Sequence, residues 1–164
     1  MKNTLLIAFL FSAFFGFCQF DGTPDSTFGT NGVIQFDFNQ QNDVLQRVQI
    51  DKQGRFLMAG YTLGNNSSNG LICRLQNDGT PDLSFGNQGA RELEYTWGED
   101  DYISDIQIMP NGKIIIVGGT GDSPNSDQMV AVLNDDGSLF GNFNQTGYLI
   151  NGGAHQDILT TCVP

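Results

Sequence analysis

The sequence has 164 residues, which is enough for one modest domain. Its 18 acidic and 7 basic side chains give a formal net charge of −11, which argues against non-specific binding to nucleic acids and to anionic membrane surfaces. The sequence contains 15 Asp, 15 Asn and 21 Gly residues. Because these residue types favour turns, the composition argues against a mostly helical protein.

The first 18 residues are predicted to be a secretory signal peptide. Lys2 precedes an apolar stretch from Leu5 to Phe17, which is shorter than the roughly 20 residues of a membrane span. Cleavage after Cys18 makes Gln19 the new N-terminus. The alternatives are a lipid anchor on Cys18, which the bulky Phe17 disfavours, and a retained membrane anchor. We therefore expect a secreted or cell-surface protein without a transmembrane span after removal of the signal.

Removal of the signal leaves two cysteines, Cys73 and Cys162. They could form a disulfide in an oxidising compartment. However, Cys73 lies in the apolar run from Leu71 to Leu75. We therefore interpret Cys73 as a small buried apolar residue.

An internal repeat is the strongest signal in the sequence. The twelve residues from Asp21 to Gly32 and those from Asp78 to Gly89 share eight identical positions, and a degenerate third copy begins at Asp136. The copies begin 57 and 58 residues apart. After the signal peptide at 1–18, the predicted units are repeat 1 at 19–77, repeat 2 at 78–135 and a partial repeat 3 at 136–164.

Each unit is predicted to contain four short strands separated by turns. The alternation of residue types places Val44, Val48 and Ile50 on one face of the second strand. Gln53-Gly54 and Asn111-Gly112 predict tight hairpins between the second and third strands. In repeat 1 the four strands are predicted at Val33 to Phe38, Val44 to Asp51, Arg55 to Thr62 and Leu71 to Gln76.

Four antiparallel strands repeated at this spacing are typical of a β-propeller blade. The predicted fold class is all-β, with four-stranded antiparallel blade-like repeats. Because a propeller closes with about 4 to 8 blades, the propeller is incomplete. We predict either a fragment of a longer product or a chain that completes its core by association. Phe28, Phe85 and Phe143 recur once per unit and are predicted to anchor neighbouring blades.

These units resemble the delta-60 repeat, a β-propeller-like repeat of secreted bacterial proteins. The resemblance is carried by Asn77 to Gly89 and by Pro110 to Gly118. Repeat 3 departs from the pattern at Leu139, Asn142 and Asn144, which predicts a distorted turn. The resemblance implies no catalytic residues. It also implies a source among Bacteroidetes-type bacteria and export by the type IX secretion system, although no sorting domain of that system is visible in the sequence.

No residue pattern predicts a catalytic site or a cofactor. His155 is the single histidine and cannot by itself form a histidine-based metal site or complete a Ser-His-Asp array. Gly118 to Gly121 lacks the following helix start and lysine of a phosphate-binding loop. Glu99-Asp100-Asp101 is interpreted as a solvated loop. Asp25-Ser26-Thr27 fits a short O-glycosylation pattern of the same bacteria, but three-residue patterns are common by chance.

The acidic turns have two interpretations. Asp21 with Asp25, Asp78 with Asp82, and Asn134 to Asp136 could offer oxygen ligands to Ca²⁺. The spacing of an EF-hand is absent, and aspartates also stabilise turns by bonding the local backbone. We favour the turn and keep a calcium site as the alternative.

The sequence favours a non-enzymatic, secreted or cell-surface repeat module that acts as a scaffold or a ligand-binding surface. The turn and packing positions repeat, whereas the polar tips at Asn65 to Asn69 and Asp122 to Asp127 differ, and such loops commonly form the binding face. The expected partner is a glycan or protein ligand at these tips, and not a nucleic acid. The alternative is a fragment of a polysaccharide-acting β-propeller enzyme whose catalytic residues lie outside this chain.

Overall fold

A computed structural model of the chain describes residues 22–64, 66–121, 126–152 and 161. These residues form two four-stranded antiparallel sheets and no helix. We call the sheets blade 1, with the strand order β1-β2-β3-β4, and blade 2, with the order β5-β6-β7-β8. The strands are β1 (Asn42–Ile50), β2 (Phe56–Leu63), β3 (Ser68–Leu75), β4 (Ala90–Leu93), β5 (Asp101–Ile108), β6 (Ile114–Thr120), β7 (Asp127–Leu133) and β8 (Tyr148–Asn151).

The first strand predicted for repeat 1 is wrong. Val33 forms only an isolated bridge with Thr30, and residues 34–37 are not in a strand. The matching segment of repeat 2 is β4, which pairs with β3 of the preceding unit. The first strand of each unit therefore completes the previous sheet, and among the described residues Val33 to Phe38 has no earlier sheet to join. Phe36 and Phe38 instead pack on Leu71, Cys73 and Ala90 of blade 1.

The two predicted hairpins are confirmed, with three-residue loops in both blades. Gly54 N donates to Asp51 O at 3.0 Å, and Gly112 N donates to Met109 O at 3.0 Å. Only the glycine of each loop has a positive φ, at 78° for Gly54 and 80° for Gly112. Each loop is therefore a type I turn closed by a left-handed glycine, a common three-residue hairpin.

A β-bulge changes which residues share a face of β1. The pairing of β1 with β2 shifts between Leu45 and Arg47, so that Gln46 is an extra residue in the ladder. Leu45 therefore shares a face with Val48 and Ile50, and Val44 lies on the opposite face. The predicted side for Val44 is wrong because the alternation of side chains assumes an uninterrupted ladder.

The two blades pack face to face around one apolar core. Each blade has two faces. Face A is the side that carries Leu57, Ala59 and Ile72 in blade 1 and the matching repeat positions in blade 2. Face B is the opposite side, which carries Ile106 and Ile116 in blade 2. Face A of blade 1 covers face B of blade 2, and all five residues are buried. Face B of blade 1 carries Cys73, a free buried thiol whose pKa is raised to about 12 by burial and by nearby Asp43. The interpretation of Cys73 as a buried apolar residue is confirmed.

The predicted anchor role is confirmed for Phe85. Its side chain is fully buried within the core that joins both blades. Phe28 lies 5.0 Å from the ring of Phe56 and covers part of face B of blade 1. Phe28 and Phe143 are only half-buried.

The turn in repeat 3 is distorted, as its departures from the repeat pattern predicted. Asn144 takes the left-handed conformation of the matching Gly86, with φ of 47° and 55° respectively. The next left-handed residue is Gln88 in repeat 2 but Gln145 in repeat 3. Gln145 matches Asn87 in the repeat, and not Gln88. The second left-handed residue of the turn therefore lies one position nearer to the first one in repeat 3 than in repeat 2.

Candidate functional site

Three loops meet at one end of the two blades and form what we call the tip surface. It consists of residues 66–68, residues 94–100 and Gly121. The Asp100 carboxylate accepts hydrogen bonds from Ser68 N at 2.7 Å and Ser68 Oγ at 2.9 Å. Gly121 N donates to Asp100 O at 2.9 Å. Asp100 therefore holds the loops of both blades together at this end.

Trp97 projects from the tip surface into solvent. It is the only tryptophan of the sequence, and 89% of it is exposed. Glu99 N donates to Thr96 O at 3.2 Å, and Gly98 has a φ of 78°, which defines a type II turn with Trp97 at its corner. The turn fixes the backbone that carries this large apolar side chain, which gains little stability from burial.

Asp101 corrects part of the interpretation of Glu99-Asp100-Asp101 as a solvated loop. Glu99 and Asp100 are exposed, but Asp101 is fully buried at the start of β5. Its Oδ2 accepts a hydrogen bond from Tyr95 N at 2.7 Å. Burial raises the pKa of Asp101, although hydrogen bonds from Thr120 and the backbone partly oppose the shift. Asp101 therefore holds the backbone of the Trp97 loop through its hydrogen bond with Tyr95 N.

A charge cluster lies at the opposite end of the interface between the blades. Arg74 is almost fully buried, and its Nε lies 2.7 Å from Asp82 Oδ2. Arg55 contacts Asp51 Oδ2 at 2.6 Å and Asp82 Oδ2 at 3.3 Å. Both arginines also lie 3.0 Å from Asp135 Oδ1 in blade 2. The cluster therefore joins the two blades through ion pairs.

A cleft of about 540 Å³ opens beside the charge cluster, between the β1–β2 and β5–β6 hairpins. Gln49 Nε2 donates to Ile106 O at 2.7 Å, and Ile108 N donates to Gln49 Oε1 at 3.1 Å. Lys52 Nζ donates to Pro110 O at 3.2 Å. These hydrogen bonds of Gln49 and Lys52 join the two blades at this end.

The aspartates of the charge cluster have lowered pKa values. For Asp82, burial alone would raise the pKa, but hydrogen bonds from Ser84 and the ion pair with Arg74 outweigh burial and lower it. For Asp51, burial is likewise outweighed by hydrogen bonds from Arg55 and Gln53. A carboxyl group whose pKa falls on folding stabilises the folded state at neutral pH and loses that contribution in acid.

We expect the free energy of unfolding to fall as the pH drops below about 4, the ordinary aspartate pKa. Asp51 and Asp82 contribute in this direction, because their stabilisation is complete above the unfolded pKa and is lost as the pH falls through the lower folded pKa. Asp101 acts in the opposite direction, because its raised pKa makes protonation favour the folded state. Urea unfolding at several pH values between 7 and 2.5 measures the slope of the free energy of unfolding against pH. Asp82→Asn should flatten it, and an unchanged slope in that variant would contradict the role given to Asp82.

The acidic turns are Asx-type turns, as favoured by the sequence. Thr80 N and Thr80 Oγ1 donate to Asp78 Oδ1 at 2.9 and 2.8 Å. Asp25 accepts equivalent bonds from Thr27, and Asp136 from Ser138. These hydrogen bonds lower the pKa of all three aspartates. Among the described residues, no group of three or more His, Cys, Asp or Glu side chains is placed to hold a metal ion.

The glycine-rich segment from Gly118 to Gly121 has a packing role. Gly118 and Gly119 lie in β6, and a Cβ atom at Gly118 would lie 1.9 Å from Tyr102 O. The glycines therefore let β6 approach β5 closely, and no helix follows in the described part of the chain. Several residues from the sequence analysis lie outside the described residues: the predicted signal peptide at 1–18, Gln19, Asp21, Asn65, 122–125, His155 and Cys162.

Sequence reasoning missed the charge cluster and the exposed Trp97. The available signals were Arg74 inside an apolar strand and the single tryptophan of the sequence. An arginine that interrupts an apolar strand commonly has a buried acidic partner. The fold was required to identify the partners of Arg74, because the buried Asp82 follows a turn and the more exposed Asp135 is 61 residues away.

Comparison with known proteins supports a β-propeller-like repeat family. A family model described as "Domain of unknown function (DUF5122) beta-propeller" matches residues 54–85. The match covers β2, β3 and the turn that ends at Phe85. No curated protein matches the sequence significantly. The described residues contain no helix with the length and apolar character that crossing a membrane requires.

Proposed function

We propose that this chain is a non-catalytic, exported β-propeller repeat module that binds a glycan or protein ligand through its tip surface. Trp97 carries the proposal, because it is held at the corner of an ordered turn and yet is 89% exposed. Positions that the repeats share are explained by turns and packing, whereas Trp97 occurs in one unit only. Features unique to one unit of a repeat fold commonly serve binding.

A glycan is the ligand class to test first. The flat indole of Trp97 can stack on the apolar face of a sugar ring, and aromatic side chains are enriched in ligand sites. The neighbouring Glu99 and Asp100 are exposed, and their carboxylates can accept hydrogen bonds from sugar hydroxyl groups. The net charge of −11 disfavours polyanionic ligands.

We expect Trp97→Ala to weaken binding to a neutral hexasaccharide by roughly tenfold or more, as for other exposed aromatic hot spots. Because Trp97→Ala removes the only tryptophan and with it the tryptophan fluorescence, isothermal titration calorimetry with cellohexaose, xylohexaose or chitohexaose measures binding by both chains. The melting temperature should stay the same, since little of the Trp97 side chain is buried.

Leu83→Ala is the matched control, because Leu83 is an exposed apolar residue outside the tip surface. Equal binding by the native chain and Trp97→Ala would contradict the assignment of the tip surface. Release of reducing sugar ends by the purified chain would contradict a non-catalytic role. Detection of Gln19 as the N-terminus of the exported protein would support signal cleavage.

A further inference from the structure

A buried carboxylate lies at the base of the loop that carries Trp97. The Oδ2 atom of Asp101 accepts hydrogen bonds from Tyr95 N at 2.7 Å and from Thr96 N at 3.4 Å. The side chain is fully buried, and within the described part of the chain its second oxygen, Oδ1, has no hydrogen-bond partner. A buried carboxylate with an unpartnered oxygen is costly while it is charged. The closed loop of this structure therefore favours the protonated form of Asp101.

Blade 1 contains the same hydrogen bond in a more open setting. Asp43 occupies the repeat position of Asp101, and its Oδ2 accepts a hydrogen bond from Phe38 N at 2.6 Å. Asp43 Oδ1 is likewise without a partner among the described residues, but Asp43 is only half-buried. Four residues separate Phe38 from Asp43, whereas five separate Tyr95 from Asp101, and Trp97 is one of these five. The bond is thus common to both blades, but complete burial and the tryptophan occur together only in blade 2.

The charges around Asp101 do not compensate its ionised form. Among the residues that the structure describes, no lysine or arginine forms an ion pair with Asp101. Burial raises the pKa of Asp101, and the negative charge of Glu94 acts in the same direction. The ionisable groups on the neighbouring elements are Tyr61 on β2, Arg91 on β4, Glu94 and Tyr95 in the following loop, Asp127 on β7 and Tyr148 on β8, and Glu99 and Asp100 precede Asp101 directly.

We propose that Asp101 is a proton-dependent latch for the Trp97 loop, which comprises residues 94–100. The loop stays closed over the start of β5 while Asp101 is protonated, as in this structure. The loop opens when Asp101 is ionised, because water then solvates the charge and its unpartnered oxygen. A proton that binds more tightly to the closed form stabilises that form by linkage.

This inference rests on the proposed function of the tip surface and adds a regulation to it. The closed loop holds Trp97 at the corner of its turn, so that a ligand that stacks on Trp97 should bind more tightly at mildly acidic pH than at pH 8. By reciprocity, binding of that ligand should take up protons. Ligand release would then follow a rise in pH.

Time-resolved fluorescence anisotropy of the purified full chain tests the latch without a ligand, because Trp97 is the only tryptophan. We expect the fast local motion of Trp97 to increase between pH 4.5 and pH 8, a range in which circular dichroism should show the same fold. Asp101→Asn should show little fast motion at either pH, because the uncharged amide has the shape of the protonated acid. Asp43→Asn is the matched control in blade 1 and should retain the pH dependence of the native chain.

Unchanged motion of Trp97 in the native chain across this range would overturn the latch. A pH dependence that persists in Asp101→Asn would also overturn it, because another group would then be responsible. High mobility of Trp97 in Asp101→Asn at both pH values would show that the loop requires the charge, which is the reverse of the proposal.

Calorimetric titration with cellohexaose, xylohexaose or chitohexaose tests the coupling to binding. We expect the native chain to bind about fivefold or more tightly at pH 5 than at pH 8, at the lower end of the usual coupling between two ligands. Asp101→Asn should bind with the same affinity at both pH values, close to that of the native chain at pH 5. Equal native affinities at the two pH values would overturn this inference and leave the binding surface in place. Absence of binding of all three sugars at both pH values would contradict the glycan assignment, whereas the anisotropy measurement would still decide the latch.

Discussion

Replacing Phe85 by alanine is expected to lower the free energy of unfolding by about 3–5 kcal/mol, the usual cost of deleting a buried phenylalanine side chain. Phe85 is fully buried in the core between the blades. Arg74 lies over its ring, with the guanidinium carbon 4.7 Å from the ring centre. On the other side, a Cβ at Gly137 would lie 2.9 Å from the ring. The variant therefore leaves a cavity bounded by residues of both blades.

The same substitution at Phe28 and at Phe143 provides matched controls. Both residues occupy the position of Phe85 in their units but are only half-buried, so that each should cost less than half as much. Urea unfolding followed by circular dichroism measures all three variants. An equal loss for the three would contradict the view that Phe85 is the anchor between blades 1 and 2.

The sequence was sufficient to predict the strands that lie within each unit. The strands predicted at Val44 to Asp51, Arg55 to Thr62 and Leu71 to Gln76 correspond to β1, β2 and β3 within a few residues. Their signals are local, because apolar runs, alternation and Gly-containing turns act over a few neighbouring residues. The Asx-type turns were predictable for the same reason.

The strand at Val33 to Phe38 could not be judged from its own residues. The composition of this segment is suitable for a strand, and the matching β4 forms one. The difference is the pairing partner, since β4 completes the ladder of β3. The face predicted for Val44 was wrong because of the bulge at Gln46. The same shift in pairing recurs in β5 between Ile103 and Asp105. A bulge carries little sequence signal, because it depends on how two strands fit together.

The burial of acidic residues also depends on distant groups. Asp100 and Asp101 are neighbours in the sequence, but one is exposed and the other is fully buried. Asp101 is compensated by backbone N–H groups of Tyr95 and Thr96, which the preceding loop turns towards it. A sequence pattern does not show which of two adjacent carboxylates receives such donors, and therefore residues 99–101 could be predicted only as an acidic loop.

Arg74→Val is expected to lower the free energy of unfolding by about 3 kcal/mol, at the lower end of the loss for breaking a buried ion pair. The loss arises because Asp82 remains buried without its closest partner. Arg55 Nη1, at 3.3 Å from Asp82 Oδ2, compensates part of it. Urea unfolding at pH 7 measures the change.

The chain itself supplies the compensating substitution. In blade 2 the positions of Arg74 and Asp82 are occupied by Val132 and Phe140, with the same backbone bond: Phe140 N donates to Val132 O at 2.8 Å, as Asp82 N donates to Arg74 O at 2.9 Å. Lys113 Nζ lies 4.3 Å from the centre of the Phe140 ring, where blade 1 has Arg55 beside Asp82. Each blade therefore stabilises this turn with a different pair, one ionic and one apolar.

The double variant Arg74→Val with Asp82→Phe should be more stable than the sum of the two single variants predicts, by about 1–3 kcal/mol. The physical reason is that the double variant removes both buried charges and fills the space with apolar groups, whereas each single variant leaves one charge without its partner. A thermodynamic cycle of the native chain, Arg74→Val, Asp82→Phe and the double variant measures this coupling. Additive losses would show that the two side chains stabilise the blades independently, which the 2.7 Å contact between them argues against.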